Sequence, residues 1–152
     1  MRILMVCLGN ICRSPLAEGI MKEKFKNYGL EGKVDSAGTA SYHIGEPPDP
    51  RSIDIASKYG IDISGQVARA FNVSDFDHFD YIFAMDQENF SNIIRKARSD
   101  KDKRKVNLIL DNLFPDEEKE VPDPYYGGKE GFEKVFRLLD DGCEAILGKL
   151  KN

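Results

Sequence analysis

The stretch MRILMVCLGNICRSPLAEGIMKEKFKNY, residues 1–28, decides the fold. It opens with an apolar run at 2–6 that has the length and composition of a buried strand. Its second half repeats apolar side chains with the period of an α-helix, at Leu16, Ile20, Met21 and Phe25. A strand, a turn-rich loop and a helix in this order begin a β–α–β unit, which predicts an α/β fold with parallel strands.

Three more strand-length runs and three more helical patterns follow. The predicted strands are 33–36, 79–85 and 105–110, and the predicted helices are 51–59, 87–98 and a last one. One face of that last helix is apolar, at Phe132, Val135, Phe136, Leu139, Cys143, Ile146, Leu147 and Leu150. We therefore predict a single domain, 1–152, of three layers: a four-stranded parallel sheet with helices on both faces. In such folds ligands bind beyond the carboxyl ends of the strands.

Composition narrows the functional classes. The 152 residues include 26 acidic and 22 basic side chains, a net charge of -4, which argues against a nucleic-acid-binding protein. No apolar run is long enough to span a membrane, and the first residues do not form a signal peptide. Three cysteines cannot all pair, which fits a reducing compartment, so we expect a cytoplasmic protein. We interpret the basic stretch 95–105 as a solvated helix end and loop.

The loop after the first strand carries the chemistry: Cys7, Leu8, Gly9, Asn10, Ile11, Cys12, Arg13 and Ser14. Five residues between Cys7 and Arg13 can curl so that backbone N–H groups point inward, with Gly9 and Asn10 accepting left-handed conformations. Such a loop makes a cradle the size of a phosphate group. The sequence therefore predicts an oxyanion site at this point.

The residues at the end of the loop are expected to add a positive charge to that site and to point the start of a helix at it. Ser14 followed by Pro15 predicts an N-cap and a helix that begins at Pro15, with its positive dipole end aimed at the cradle. The planar guanidinium of Arg13 can hold two oxygens at once. A thiol at Cys7 in this field is expected to ionise and to act as a nucleophile at neutral pH.

With these motifs the chain resembles the low-molecular-weight protein tyrosine phosphatases. The resemblance lies in CLGNICRSP at 7–15 and DPYYGG at 123–128, with DSAGT at 35–39, PDPR at 48–51 and FDYIFAMD at 79–86 in the family's order. It implies a compact four-stranded parallel α/β fold and hydrolysis of phosphomonoesters through a phosphocysteine intermediate. It also implies that neither a cofactor nor a metal takes part.

The resemblance assigns roles to individual residues. Asp123 matches the general acid that protonates the leaving oxygen and later activates water. Ser14 is expected to donate its hydroxyl to Cys7, while Ser36 holds the loop-organising Asn10. The walls of the substrate pocket are predicted to be Leu8, Ile11, Tyr42, Tyr125 and Tyr126. We expect a monomer that acts on phosphotyrosine proteins or peptides. Phosphate and other oxyanions are expected to inhibit it.

Other cysteines and the histidines receive lesser roles. Oxidation could join Cys7 and Cys12 in a disulfide that switches activity off, which is a hypothesis at this point. Cys143 belongs to the core face of the last helix. Neither histidine has ligand partners at metal-binding spacing: His43 lies beside a predicted pocket wall, and His78 lies in a surface loop.

Three other functions remain open. A thioredoxin-coupled arsenate reductase uses the same fold and loop, but it needs resolving cysteines after the third strand, where this chain has none. A phosphoarginine phosphatase resembles this sequence too, although it has a threonine where this chain has Ile11. A phosphotyrosine-binding module without catalysis is the third alternative. The presence of Cys7, Arg13 and Asp123 together favours catalysis.

Overall fold

The computed structural model describes residues 1–125 and 127–150. Its strands are β1 Arg2–Cys7, β2 Lys33–Gly38, β3 Tyr81–Ala84 and β4 Val106–Leu108. Its helices are α1 Arg13–Asn27, α2 Pro50–Lys58, α3 Asp75–His78, α4 Gln87–Ile94, α5 Asp100–Arg104 and α6 Lys129–Leu150. The strands form one sheet in the order β2-β1-β3-β4, and every pair is parallel. The predicted four-stranded parallel sheet is confirmed.

The central strand β1 sets the two faces of the sheet, because successive side chains point to opposite sides. Ile3 and Met5 pack with α1, α2 and α6 in the larger core cluster. Leu4 and Val6 pack with side chains of α3 and α4 in a second cluster on the other face. Helices therefore cover both faces, as the sequence predicts, and all four of these strand side chains are fully buried.

Register brings the carboxyl ends of the strands together. Cys7 at the end of β1 lies opposite Gly38 at the end of β2, and Val6 lies opposite Ala84 at the end of β3. Strands β3 and β4 are shorter than predicted, and the flanking apolar residues are buried outside these strands, at Phe79, Met85, Ile109 and Leu110. The segments that follow β1, β2 and β3 consequently meet at one edge of the sheet.

The predicted start of the first helix is wrong. Helix α1 begins at Arg13, and Cys12 occupies the N-cap position without a side-chain hydrogen bond to the helix. Ser14 lies inside the first turn and is fully buried. Its hydroxyl contacts Cys7 and Asn10 instead of capping the helix. The Ser14 hydroxyl therefore stabilises the loop and not the end of the helix.

The basic stretch 95–105 is more ordered than predicted. Helix α4 ends at Ile94, before this stretch, and the stretch forms the short helix α5. Ser99 caps α5 by accepting a hydrogen bond from the backbone N–H of Asp102. Asp102 is buried and accepts hydrogen bonds from the half-exposed Arg98, so part of the positive charge of this stretch is neutralised by an acidic partner.

Helix α6 buries the face that its apolar pattern predicts. Cys143 lies on this face without exposure to solvent, and burial raises the pKa of its thiol to about 12. The thiol is therefore protonated in the folded protein at neutral pH, as a core residue should be. Within 1–125 and 127–150, no helix is both long and apolar enough to cross a membrane.

Candidate active site

The loop between β1 and α1 holds Cys7 at its base. Cys7 is only 3% exposed, and its Sγ lies 3.0 Å from the hydroxyl oxygen of Ser14. Three carbonyl oxygens of the loop accept hydrogen bonds from backbone N–H groups outside it: Cys7 from Thr39, Leu8 from Ala40 and Ile11 from Asp49. Because these carbonyls bond outside the loop, its interior is free of their negative ends, as an anion-binding loop requires.

Asn10 fastens this loop to its surroundings. It has a φ of 58°, the left-handed conformation that the sequence predicts for it. Its amide nitrogen donates hydrogen bonds to the hydroxyls of Ser14 at 2.8 Å and Ser36 at 2.9 Å. Its side-chain oxygen accepts from the backbone N–H of Arg69 at 3.0 Å. The loop is therefore tied to α1, to β2 and to the segment at Arg69.

Gly9 is needed for space and not for a left-handed backbone. Gly9 is not among the described residues with positive φ, so the loop does not use the left-handed conformation that a glycine can accept there. A Cβ at Gly9 would lie 2.9 Å from Cδ2 of His43, closer than side-chain atoms normally approach. The imidazole of His43 therefore rests on the loop, and its Nδ1 lies 2.8 Å from a carboxylate oxygen of Glu46.

Arg13 is the buried cation of the site. Its side chain is 3% exposed, and Nη1 donates to Oδ2 of Asp86 at 2.7 Å and to the carbonyl of Val121 at 2.9 Å. Burial lowers the pKa of the guanidinium, but the charges of Cys7, Asp86 and Asp123 raise it more, and the net shift is upward. The guanidinium is thus a permanent positive charge at this end of the sheet.

Sequence reasoning missed Asp86 and Val121. Asp86 directly follows the predicted third strand, where α/β folds place ligand-binding residues, so its position could have identified it. It caps α4 by accepting from the backbone N–H of Asn89 through Oδ1 while Oδ2 binds Arg13. The backbone carbonyl of Val121 leaves no signature in a sequence.

Asp123 lies at the mouth of the site. Its Oδ2 is 3.7 Å from Nη2 of Arg13, and its side chain is 43% exposed. The other carboxylate oxygen accepts a hydrogen bond from the backbone N–H of Tyr125 at 3.0 Å. Asp123 therefore forms a turn and also faces the cation, so forming the turn is compatible with the acid role predicted for this residue.

The pocket above Cys7 has a volume of about 270 Å³. Its lining residues are Cys7, Leu8, Gly9, Ile11, Cys12, Arg13, Tyr42, His43, Asp123 and Tyr125. Tyr42 is 77% exposed, so it forms a rim more than a wall. The ring of Tyr125 lies 5.4 Å from the guanidinium carbon of Arg51. Tyr126, the remaining predicted wall residue, lies outside the described residues.

Cys12 lies in the same loop as Cys7 but in a different environment. It is 5% exposed, and burial, with the negative charge of Asp49 as the next cause, raises the pKa of its thiol to about 12. All three cysteines are free thiols. In the part of the chain that the structure describes, no cluster of three or more metal-ligating side chains is found.

The arrangement can transfer a group to sulfur. A tetrahedral oxyanion in the pocket would meet Arg13 and the loop N–H groups, which stabilise charge that develops on its oxygens. Cys7 would lie below it as a nucleophile, and Asp123 at the mouth would reach the leaving group on the opposite side.

Comparisons with known proteins agree with this geometry. The family described as low molecular weight phosphotyrosine protein phosphatase matches residues 2–152. A Bacillus subtilis low molecular weight protein-tyrosine-phosphatase is 42% identical over 151 residues, which are 98% of this chain and 95% of that protein. The crystal structure of an Entamoeba histolytica protein tyrosine phosphatase has a TM-score of 0.93 at 42% identity, covering 99% of this chain and 97% of that one.

A related structure carries a different name. The Drosophila arginine phosphatase has a TM-score of 0.93 at 32% identity, covering 100% of this chain and 99% of that one. The likeness to each of these proteins extends over nearly the whole chain, so it includes the loop, the sheet edge and the mouth of the pocket.

Proposed function

The chain belongs to the low molecular weight phosphotyrosine protein phosphatase family and is a protein-tyrosine-phosphatase, and from this premise we propose its mechanism and its catalytic residues. Phosphotyrosine in proteins, and small aryl phosphates, are hydrolysed through a phosphocysteine intermediate on Cys7. No metal takes part. Arg13 and the loop amides bind the phosphoryl group, and Asp123 acts as general acid and then as general base.

The observation that carries this proposal is the contact between Cys7 and Ser14. Asn10 donates a hydrogen bond to the Ser14 hydroxyl oxygen, so the hydroxyl hydrogen is free to point at the Cys7 sulfur 3.0 Å away. A hydroxyl that donates to sulfur stabilises the thiolate over the thiol. It also stabilises the thiolate when it leaves the phosphocysteine in the second step.

The first step forms the S–P bond and breaks the P–O bond to tyrosine. The Cys7 thiolate attacks phosphorus, the electron pair of the broken bond goes to the tyrosyl oxygen, and Asp123 gives that oxygen its proton. Water then attacks the phosphocysteine while the Asp123 carboxylate takes the water proton. This second step releases inorganic phosphate and restores the Cys7 thiolate and the protonated Asp123.

We expect the depth of the pocket above Cys7 to determine which phosphorylated side chains are substrates. Cys7 is nearly inaccessible at the base of the pocket, and Leu8, Ile11 and the tyrosine rings surround the way in. A phosphoserine side chain is short, so its phosphorus would not reach the sulfur without pulling the peptide backbone into the pocket. A phosphoaryl group is long enough and gains apolar contacts with the walls.

The likeness to an arginine phosphatase makes phosphoarginine the second candidate substrate. A guanidinium group brings N–H donors that need hydrogen-bond acceptors on the pocket wall. Ile11, which lines the pocket, offers an apolar side chain there. The aryl ester is therefore the better substrate in this proposal.

One assay tests these statements. Phosphate release by the purified protein is measured in EDTA from a phosphotyrosine peptide, a phosphoserine peptide and phosphoarginine. We expect turnover of phosphotyrosine, none of phosphoserine, and loss of turnover in Cys7→Ser. Faster release from phosphoarginine would overturn the substrate assignment, and full activity of Cys7→Ser would overturn the nucleophile.

We also propose that the protein works in the cytoplasm, a reducing compartment. Oxidation of Cys7 would then switch its activity off reversibly. Peroxide oxidises the Cys7 thiolate to a sulfenic acid, and attack by Cys12 sulfur would form the Cys7–Cys12 disulfide and release water. The high pKa of Cys12 means that its proton must be lost for this attack, so disulfide formation should be slow. Peroxide inactivation that dithiothreitol reverses in the wild type but not in Cys12→Ser supports it. Equal recovery of both proteins would refute it.

A further inference from the structure

A groove that the proposed mechanism does not use lies between α2 and α6. Its volume is about 220 Å³. Four side chains of α2, at the spacing of one helix face, line one side: Arg51, Asp54, Ile55 and Lys58. The first turn of α6, with Lys129 and Phe132, lines the other side. Ile55 is 8% exposed and Phe132 is 1% exposed, so the groove has an apolar floor and a charged rim.

The groove adjoins the catalytic pocket through Arg51. The guanidinium carbon of Arg51 lies 5.4 Å from the ring centre of Tyr125 and 4.7 Å from that of Phe132. Tyr125 lines the catalytic pocket, whereas Phe132 lines the groove. Asp49 accepts hydrogen bonds from Nε of Arg51 at 3.0 Å and from Nη2 at 2.9 Å, so the guanidinium is held in place. A peptide that leaves the catalytic pocket past Tyr125 therefore meets the groove next.

Charge around the groove favours an anionic partner. Glu133, which also lines it, already has two cations: Nζ of Lys58 lies 3.3 Å and Nη2 of Arg137 lies 3.2 Å from its carboxylate. Of the other charged side chains at the rim, Asp54 is acidic and Lys129 is basic. Lys129 begins α6, so the positive end of the helix dipole adds to the charge of its ammonium. Positive charge therefore exceeds negative charge here, in a chain whose net charge is -4.

We propose that this groove is a specificity site: it binds an acidic side chain, glutamate or aspartate, that lies near the phosphotyrosine in the substrate peptide. The inference rests on the proposed function, because the phosphotyrosine must occupy the catalytic pocket. The methylene groups of a glutamate would cover Ile55 and Phe132, and its carboxylate would reach the Lys129 ammonium and the start of α6. An extended peptide advances about 3.3 Å per residue, so a side chain about two or three residues from the phosphotyrosine can reach past Tyr125.

Peptides with one variable position test this specificity. An alanine-rich phosphotyrosine peptide carries Glu, Gln or Lys in turn at each position near the phosphotyrosine, and kcat/KM is measured. For the wild type we expect Glu to exceed Gln about threefold at about one or two positions on one side, the value of an exposed ion pair. Lys129→Glu should make the Lys peptide the better substrate, and it is expected to fold because acidic residues are favoured at helix starts. Asp54→Asn should increase the advantage of the Glu peptide about twofold.

Lys134→Glu is the matched control, because it makes the same charge change on an exposed part of α6 outside the groove. It should leave the preference for the Glu peptide unchanged. p-Nitrophenyl phosphate is too small to reach the groove, so its kcat and KM should be the same in all these variants. Equal kcat/KM of the wild type for the Glu, Gln and Lys peptides would overturn the proposal. A preference that Lys134→Glu shifts as far as Lys129→Glu does would overturn it too.

A binding measurement keeps this test independent of turnover. Cys7→Ser lacks the proposed nucleophile, and the fluorescence anisotropy of labelled peptides reports their binding to this variant. The Glu peptide should bind about threefold more tightly than the Gln peptide, and about 1 M salt should remove the difference. Equal affinities would overturn the role of the groove. If the wild type turned over no substrate but the affinity difference remained, the proposed function would be refuted and the role of the groove supported.

Discussion

Asp86 is expected to be as important for catalysis as the residues that touch the substrate. It holds Arg13 with one carboxylate oxygen and caps α4 with the other. Asp86→Ser separates these two tasks, because a serine hydroxyl can still cap the helix but brings no charge to Arg13. The guanidinium would keep the Val121 carbonyl and the more distant Asp123.

The size of the effect follows from burial. Removing one partner of a buried ion pair costs about 3–5 kcal/mol of unfolding free energy. Asp86 is 21% exposed and Arg13 retains one acceptor, so we expect a loss near the lower end, about 3 kcal/mol. A misplaced Arg13 no longer meets the phosphoryl oxygens, and losing one such donor lowers turnover by about 100-fold or more.

Urea unfolding and kcat/KM with a phosphotyrosine peptide measure the two effects. Asp80→Ser is the matched control: Asp80 precedes β3 and pairs with Arg2 at 3.5 Å, but both side chains are nearly half exposed. Exposed pairs contribute about 1 kcal/mol or less, so Asp80→Ser should lose little unfolding free energy. Its kcat/KM should not change, because Asp80 lies at the amino end of β3 and the pocket lies beyond the carboxyl end. If Asp86→Ser retained kcat/KM within threefold of the wild type, Arg13 would not depend on Asp86 and the reasoning would be refuted.

Three further predictions concern the loop, the acid and the core. A Cβ at Gly38 would lie 2.8 Å from the carbonyl oxygen of Leu8 in the phosphate-binding loop, so Gly38→Ala should lower both thermal stability and turnover, while Gly65→Ala, with nothing within 4 Å, should change neither. Asp123→Asn should reduce kcat with a phosphotyrosine peptide by about 10²–10⁴, with a smaller loss for p-nitrophenyl phosphate, whose leaving group needs no proton; equal losses would contradict the acid role. The pKa of Cys143 is raised from 9.0 to about 12, so above pH 9 the unfolded chain loses this proton while the folded one keeps it, and stability falls as pH rises towards 12. Urea unfolding should therefore show a smaller loss between about pH 8 and about pH 10.5 for Cys143→Ala than for the wild type.

The sheet could be predicted because its strands obey local rules. The two central strands, β1 and β3, are buried on both faces, so each reads as a short apolar run between helical patterns. The apolar face of α6 has the helical period over its whole length, and burial follows that period. Short helices have no such signal: α3 has four residues and α5 has five, too few for an amphipathic pattern.

The wrong start of α1 has a different cause. Ser before Pro is a common N-cap pattern, and the local sequence supports that interpretation. The tertiary contacts of Ser14 with Cys7 and Asn10 override it. A hydroxyl at a helix start can serve either the helix or its neighbours, and the choice depends on residues distant in sequence.

In the site, the reacting groups could be predicted from the sequence, but most residues that hold them in place could not. Cys7, Arg13 and Ser14 lie within eight residues, so one motif contains them. Their supports lie elsewhere: Asp86 is 73 residues from Arg13, and the carbonyl of Val121 is 108 residues from it. Sequence spacing cannot show such contacts, and a backbone carbonyl has no residue type that would mark it.

Topology nevertheless limits where supports can come from. In a parallel sheet the segments after neighbouring strands converge at one edge. Ser36, two residues before the end of β2, and Asp86, after β3, both lie beside β1 in the order β2-β1-β3-β4. A polar residue at the carboxyl end of either neighbour strand is therefore within reach of a loop that follows β1. Ser36 reaches Asn10 from one side and Asp86 reaches Arg13 from the other, so the central position of β1 is what allows the loop to be held from both sides.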